Sequence, residues 1–192
     1  MPQISILACI TNRRNDLISI RIKRISNDYN QLKKLYKKGT IKQLKAFPGP
    51  KKSIEHLALL LEGPKGTPYQ KGKFKLEIKF GRNYPYAPPF VRLHTPIWHP
   101  NFWPKPDEYK GKRNICLALV DPDLVGRPDG WSPSKNIMTI IHSILAMFDV
   151  GTAYTNPHDV FNKKAALEYL QNRKKFKKKA QDVTKKYAKK KW

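Results

Sequence analysis

Cysteine is scarce in this chain: only Cys9 and Cys116 occur among 192 residues. They lie too far apart for a CxxC pair, and neither has a histidine at zinc-ligand spacing. Neither a disulfide framework nor a structural metal site is indicated, and a reducing compartment, cytoplasm or nucleus, fits. Long apolar runs are missing too. The N-terminal "ISILACI" is too short to span a bilayer, lacks a basic leader and gives way at once to "TNRRND", so it resembles neither secretory signal nor anchor. No internal repeat, glycine-rich phosphate loop or dinucleotide fingerprint occurs, so nothing marks a phosphate-cradling site.

Acidic residues are also few. Fourteen Asp and Glu face 39 Lys and Arg, a formal charge of +25 that invites a nucleic-acid reading. The excess is uneven: residues 151–192 hold 13 basic and 3 acidic side chains, whereas 101–150 hold 6 of each. Cys116 lies in the neutral part.

From Asn15 to Tyr36, the positions Ile18, Ile22, Ile25, Tyr29, Leu32 and Tyr36 step by three and four between basic residues. This predicts an amphipathic helix capped by Asn15. Strands follow at 40–47, 53–62, 74–80 and 90–94. In the third, Phe74, Leu76, Ile78 and Phe80 alternate with Lys75, Glu77 and Lys79, the period of a sheet with one wet face. The turn chemistry of "GPKGTPYQKG" makes the second and third strands an antiparallel pair. The prolines of "YPYAPP" at 84–89 demand a stiff, irregular connector. Ser134–Phe148 reads as a core helix buried on most sides, and 162–190 as further helix with Tyr169, Phe176, Ala180, Val183 and Tyr187 on one stripe. One helix, a four-stranded meander and C-terminal helices make an α+β fold, taken as a core domain over 15–192 behind an extension at 1–14.

Alone in "RNICLALV", Cys116 reads as a small buried hydrophobe, because free cysteine is among the most buried residue types. The alternative is a nucleophile at the core's edge. Several segments in order favour the second reading: "LLLEGPKGTPYQKGKFKLEIKF", "NYPYAPP", "HPN", "ICL", "WSPS" and "NPHDVFNKKAALEYLQNRKKF" with "TKKYA". Together, from about Arg21 to Ala188, they resemble the ubiquitin-conjugating enzyme family and its fold.

That resemblance implies that Cys116 carries ubiquitin or a ubiquitin-like protein as a thioester and passes it to a substrate lysine, with an activating enzyme upstream and a ligase as partner. No cofactor is implied on this chain, since ATP is used by the activating enzyme. A thioester suits the task as an acyl donor exchanged by thiolate attack. An ordinary thiol is about 3% ionised at pH 7, enough without a histidine base, and screening should leave the overall charge little influence on it. Asn101 matches the family asparagine, either donating to the tetrahedral oxyanion or holding its loop by backbone bonds. His99 is included in the catalytic set, first as the residue orienting that turn and second as a proton carrier. Asp159 matches the acid that orients the attacking amine and accepts its proton, with a helix cap as the alternative. Ligase contacts carry over to Arg24, Tyr86, Pro133 and Ser134.

Three loops are longer than is usual for the family: between Asn101 and Cys116, between Cys116 and Trp131, and ahead of Asp159. In the second, Asp121, Asp123 and Asp129 resemble the acidic insertions of chain-building members and can bias incoming lysines. Ala118 stands where relatives often carry Asp or Ser. The lysine-rich end reads either as the solvated face of an amphipathic helix or as a nucleic-acid surface or nuclear import signal.

Overall fold

The computed structural model describes residues 3–46, 53–104, 113–151 and 155–189, with side chains from residue 16 onward. Helix α1 (Gln3–Lys37) has no proline or glycine to interrupt it, so it runs through Asn15, which caps nothing. Its buried stripe is Ile25, Asp28, Leu32 and Leu35, while Ile18, Ile22 and Tyr36, expected to pack, are exposed. Polar contacts set this rotation. Arg21 donates to both carboxylate oxygens of Glu55 (2.8 and 3.0 Å) and to the carbonyls of Phe80 and Gly81 (3.1 and 2.9 Å). The fully buried Asp28 accepts from Arg24 Nε (3.2 Å), the Tyr84 hydroxyl and the Ile137 amide (3.3 Å). One carboxylate thus joins α1, the proline-rich connector and the next helix.

The sheet is an antiparallel meander in the order β1 (Ile41–Ala46), β2 (His56–Glu62), β3 (Lys73–Lys79) and β4 (Phe90–Leu93). Phe47, expected to end the first strand, lies outside the described residues. β2 starts later than expected because the Ser53 hydroxyl and carbonyl accept from the amides of Glu55 and His56, forming a turn. The register aligns Leu44, Leu59, Leu76 and Leu93 across all four strands. On β3 the alternation holds for Phe74, Leu76 and Ile78, all fully buried. Glu77 is the exception among its polar positions. Burial pushes its carboxyl up, but hydrogen bonds from Nε2 of His94 (2.8 Å) and His56 (2.7 Å) outweigh it and hold the group below the usual carboxylate range.

Helix α2 (Ile137–Met147) lays Ile137, Ile140, Ile141 and Ile144 on the sheet's core face. The Asn136 side chain caps it, accepting from the amides of Met138 and Thr139. Its outer face is less covered than its apolar content implies: Met138 and Leu145 are half-buried and His142 is exposed. The C-terminal segment divides into α3 (Lys163–Gln171) and α4 (Arg173–Tyr187). Asn172 makes the break by donating to the Glu168 carbonyl and accepting from the Lys175 amide. The buried stripe runs through Tyr169, Phe176, Ala180 and Thr184; Val183 is half-buried and Tyr187 exposed. Among the described residues no helix is long and apolar enough to cross a membrane.

Candidate active site

After β4 the chain turns irregular, and Asn114 fastens it. This residue's side-chain oxygen accepts from the Leu93 amide (3.0 Å) and its nitrogen donates to the Leu93 carbonyl (2.5 Å). Ile115 then bridges to Phe102, and the Cys116 amide donates to the Asn101 carbonyl (2.8 Å). Cys116 is half-buried and unpaired. It lines a cavity of about 470 Å³ with Asn101, Arg113, Asp121, Asp129 and Asp159. Apolar walls come from Leu117, Leu124, Met147 and Phe161, and Ala118 also borders the space. Among its lining residues three carboxylates face one guanidinium, an acidic recess on a strongly basic protein.

Asn101 is 2% exposed, and its backbone and side chain work in different directions. The carbonyl receives the Cys116 amide, whereas the side-chain nitrogen donates to the carbonyls of Asn156 and Asp159, each at 2.7 Å. Its side-chain oxygen accepts from the Asn156 amide (3.1 Å). Both amide hydrogens therefore hold the 156–159 turn, which favours the loop-holding alternative over oxyanion donation in this conformation. Asp159 itself is exposed, and the cap of α3 is Asn162, which accepts from the Ala165 amide (3.1 Å). That removes the helix-cap alternative for Asp159.

His99 does not border the cavity. It is fully buried, its Nε2–H donates to the Met147 carbonyl (2.8 Å) and its Nδ1 accepts from the Asn101 amide (3.0 Å). Burial pushes the imidazole down to about 4, so it is neutral and fully engaged at physiological pH. The proton-carrier reading of His99 is therefore corrected to an orienting role.

The thiol departs from expectation as well. Burial, and next the Asp159 carboxylate as a hydrogen-bond acceptor for the S–H, push Cys116 up to about 12, with Arg113 opposing. At pH 7 only about one such thiol in a hundred thousand is ionised, far below the fraction expected of an ordinary cysteine. The overall positive charge does not reach the sulfur; the nearest groups decide.

Of the acidic loop, Asp121 and Asp129 border the cavity and the exposed Asp123 does not. Asp121 is engaged by Arg113 (2.5 Å) and by the Asp123 amide (3.0 Å), while among the described residues Asp129 has only a loose, solvent-exposed contact to Arg127 at 3.7 Å. Among the described residues Asp129 is thus the cavity carboxylate open to an incoming cation, and Asp159 joins it once the thiol no longer holds a proton. Gly126 sits at φ 85°, and a Cβ on Gly130 would lie 1.7 Å from the Leu124 carbonyl oxygen, so both fix the loop's path.

Arg24, Tyr86, Pro133 and Ser134 gather at one edge. Arg24 turns its guanidinium inward, onto the carbonyls of Pro133 (2.8 Å) and Lys135, and so shapes the loop rather than standing free. The buried Trp131 donates to the Pro85 carbonyl (2.7 Å), leaving the adjacent Tyr86 53% exposed beside the exposed Pro133 and Ser134 loop. Sequence reasoning missed Asn114, Arg113 and Asp28. Asn114 and Arg113 directly precede "ICL" and carried the only available signal; nothing in the chain flags Asp28. Residues 105–112, the core of the longer loop before Cys116, and 152–154 lie outside the described residues.

A sequence model of the ubiquitin-conjugating enzyme family matches residues 24–184. A protein named as a probable ubiquitin-conjugating enzyme E2 of Acanthamoeba polyphaga mimivirus is 33% identical over 175 residues, which are 89% of this chain and 96% of that one. The ubiquitin-conjugating enzyme E2 T of Bos taurus is 36% identical over 138 residues, 72% of this chain and 64% of the relative, so the match spans just under two thirds of that protein. The solved E2 domain of a Toxoplasma gondii ubiquitin-conjugating enzyme superposes with a TM-score of 0.66 at 28% identity, covering 87% of this chain and 98% of that one.

Proposed function

The chain belongs to the ubiquitin-conjugating enzyme family, transferases that act through a cysteine thioester, and on that premise we propose that Cys116 is the sulfur that takes the modifier's C-terminal acyl group. Ubiquitin, activating enzymes and ligases are the general partners that family membership brings. In this reading the activating enzyme consumes ATP, the chain itself takes no cofactor, and the reaction runs in the cytoplasm or nucleus. The observation that carries it is a half-buried, unpaired sulfur lining a carboxylate-rich cavity.

Asp159 serves the two states of the sulfur differently. In the free enzyme it accepts the thiol's hydrogen bond and keeps the proton on. Once the thioester has formed there is no thiol proton, and the carboxylate faces the incoming amine. The lysine nitrogen attacks the thioester carbonyl, the N–C bond forms, the C–S bond breaks, and Cys116 leaves as thiolate. The nitrogen becomes acidic as its new bond forms, so a carboxylate suffices to take its proton. Asp159 does not lower the lysine's own pKa, because a nearby negative charge raises it. Asn101 acts by keeping the Asp159 turn in place, and Asp129 attracts the ammonium before attack. Tyr86, Pro133 and Ser134 form the ligase-facing edge, with Arg24 bracing it from below.

Incubation with ATP, an activating enzyme and ubiquitin or a panel of ubiquitin-like proteins should give an adduct removed by reducing agent. Cys116→Ala should abolish it; an equal adduct on that variant overturns the assignment.

A further inference from the structure

The outer face of α4 carries charge that no carboxylate among the described residues neutralises by an ion pair. Lys174, Lys177, Lys178, Lys185 and Lys189 are all exposed, and among the described residues none of them pairs with a carboxylate. Their neighbours behave otherwise: Lys175 and Lys179 both reach Glu168, at 3.8 and 3.3 Å. At 100° per residue Lys174, Lys178 and Lys185 fall on one line, opposite the buried Phe176, Ala180 and Thr184. From Lys174 to Lys185 the helical row is about 16 Å long, and Lys189 lies just past the helix end. Its far end abuts another basic segment, since the Lys73 amide donates to the Ala188 carbonyl (2.7 Å) beside the exposed Lys71.

Like charges three and four residues apart on a helix repel, so this row lowers the helix's own stability while it stays bare. A polyanion relieves that cost. We propose that the α4 row and the adjoining Lys71 bind the phosphate backbone of a nucleic acid, holding the enzyme on it while conjugation proceeds. A duplex carries a charge about every 1.7 Å of axis, both strands counted, so a row of this length spans about ten phosphates, more than enough to give each lysine one. Between the lysines on the row lie only Gln181 and Asp182, with no apolar side chain to enter a bilayer and no aromatic to stack on a base. Recognition is therefore of the backbone, independent of sequence and screened by salt. No residue of α4 lines the Cys116 cavity, so a bound strand leaves the sulfur open. The surface stands on charge and geometry alone and does not depend on Cys116 being the acceptor.

The test is fluorescence anisotropy with the full chain, using labelled duplex DNA and duplex RNA of arbitrary sequence across a salt series. Binding in the micromolar range is expected, with log affinity falling against log salt at a slope of about −4, as for five phosphate contacts. Lys174→Gln, Lys178→Gln and Lys185→Gln together should weaken binding about a hundredfold near physiological salt and flatten the slope by about 3. The charge-matched triple Lys34→Gln, Lys37→Gln and Lys38→Gln, at the C-terminal end of α1 and the residue after it, should change it little. Thioester formation by the α4 triple should equal that of the unaltered chain, which shows that it folds. Equal losses in both triples would reduce the effect to net charge and overturn the proposal. Absence of binding at physiological salt, or tighter binding to phosphatidylserine vesicles than to DNA, would also overturn it.

Discussion

The cavity beside Cys116 and the outer face of α4 carry opposite charge and hold it in opposite ways. In the cavity the polar groups nearest the sulfur have assigned partners: Asp121 has Arg113, Asp159 has the thiol, and Asn101 uses both amide hydrogens on one turn. On the outer face of α4, Lys174, Lys178 and Lys185 pair with no carboxylate among the described residues and are interchangeable. The first arrangement makes each side chain's geometry matter. The second makes only the number of charges matter, and the contrast can be attacked from either end.

The largest effect is expected at Asp159. Asp159→Asn should slow transfer from the charged enzyme to free lysine about a thousandfold, the middle of the range for loss of a positioned proton acceptor. The same change should speed alkylation of the uncharged thiol, because removing the carboxylate removes a group that holds Cys116 up to about 12. Opposite signs from one substitution separate proton acceptance from mere loop support. If both rates fall together, Asp159 only holds the loop.

Next comes the support beneath the cavity. His99 is depressed to about 4 in the folded chain against about 6.5 when unfolded, so the unfolded state binds the extra proton. Its contribution is complete above pH 6.5 and is lost as pH falls toward 4, about 3 kcal/mol in all. Denaturant midpoints over that range should drop for the unaltered chain and drop less for His99→Asn. Parallel curves would show that other groups set the acid limit.

A smaller effect belongs to Asp129. Asp129→Asn should lower lysine discharge by about threefold at low salt and by less at high salt, as for a partly exposed charge that attracts a cation without binding it tightly. An undiminished loss at high salt would place it in direct contact with the amine. Last, single changes on α4 should be small and additive. Lys178→Gln should weaken DNA binding about fivefold and Lys178→Arg hardly at all. A large loss in the arginine variant would mean that this face reads shape, and the contrast with the cavity would fail.

What the sequence made legible follows the range of the forces involved. The two-residue period of β3 and the isoleucine spacing of α2 are local, and both elements form there, β3 shifted by one residue and α2 starting three residues after Ser134 because Asn136 caps it. The Cys116 segment was recognisable because its neighbours along the chain carried the resemblance. Contacts across long separations were not legible. Asp28 finds Tyr84 and Ile137 from another part of the chain, and the rotation of α1 depends on Arg21 meeting Glu55. The raised thiol is of the same kind, since it needs Asp159 brought from 43 positions away. The break at Asn172 was local but ambiguous, because an asparagine among lysines can equally lie on a continuous helix's wet side.

Asn101 grips the sulfur's strand with its carbonyl and the Asp159 turn with its amide. The proposed acyl carrier and proton acceptor therefore ride on a single anchor. Jostling that shakes one shakes the other in phase, a common-mode disturbance that leaves their spacing unchanged. The pair's spacing is set by this one residue rather than by the long insertions on either side, so changes of length there leave the alignment between the two to Asn101.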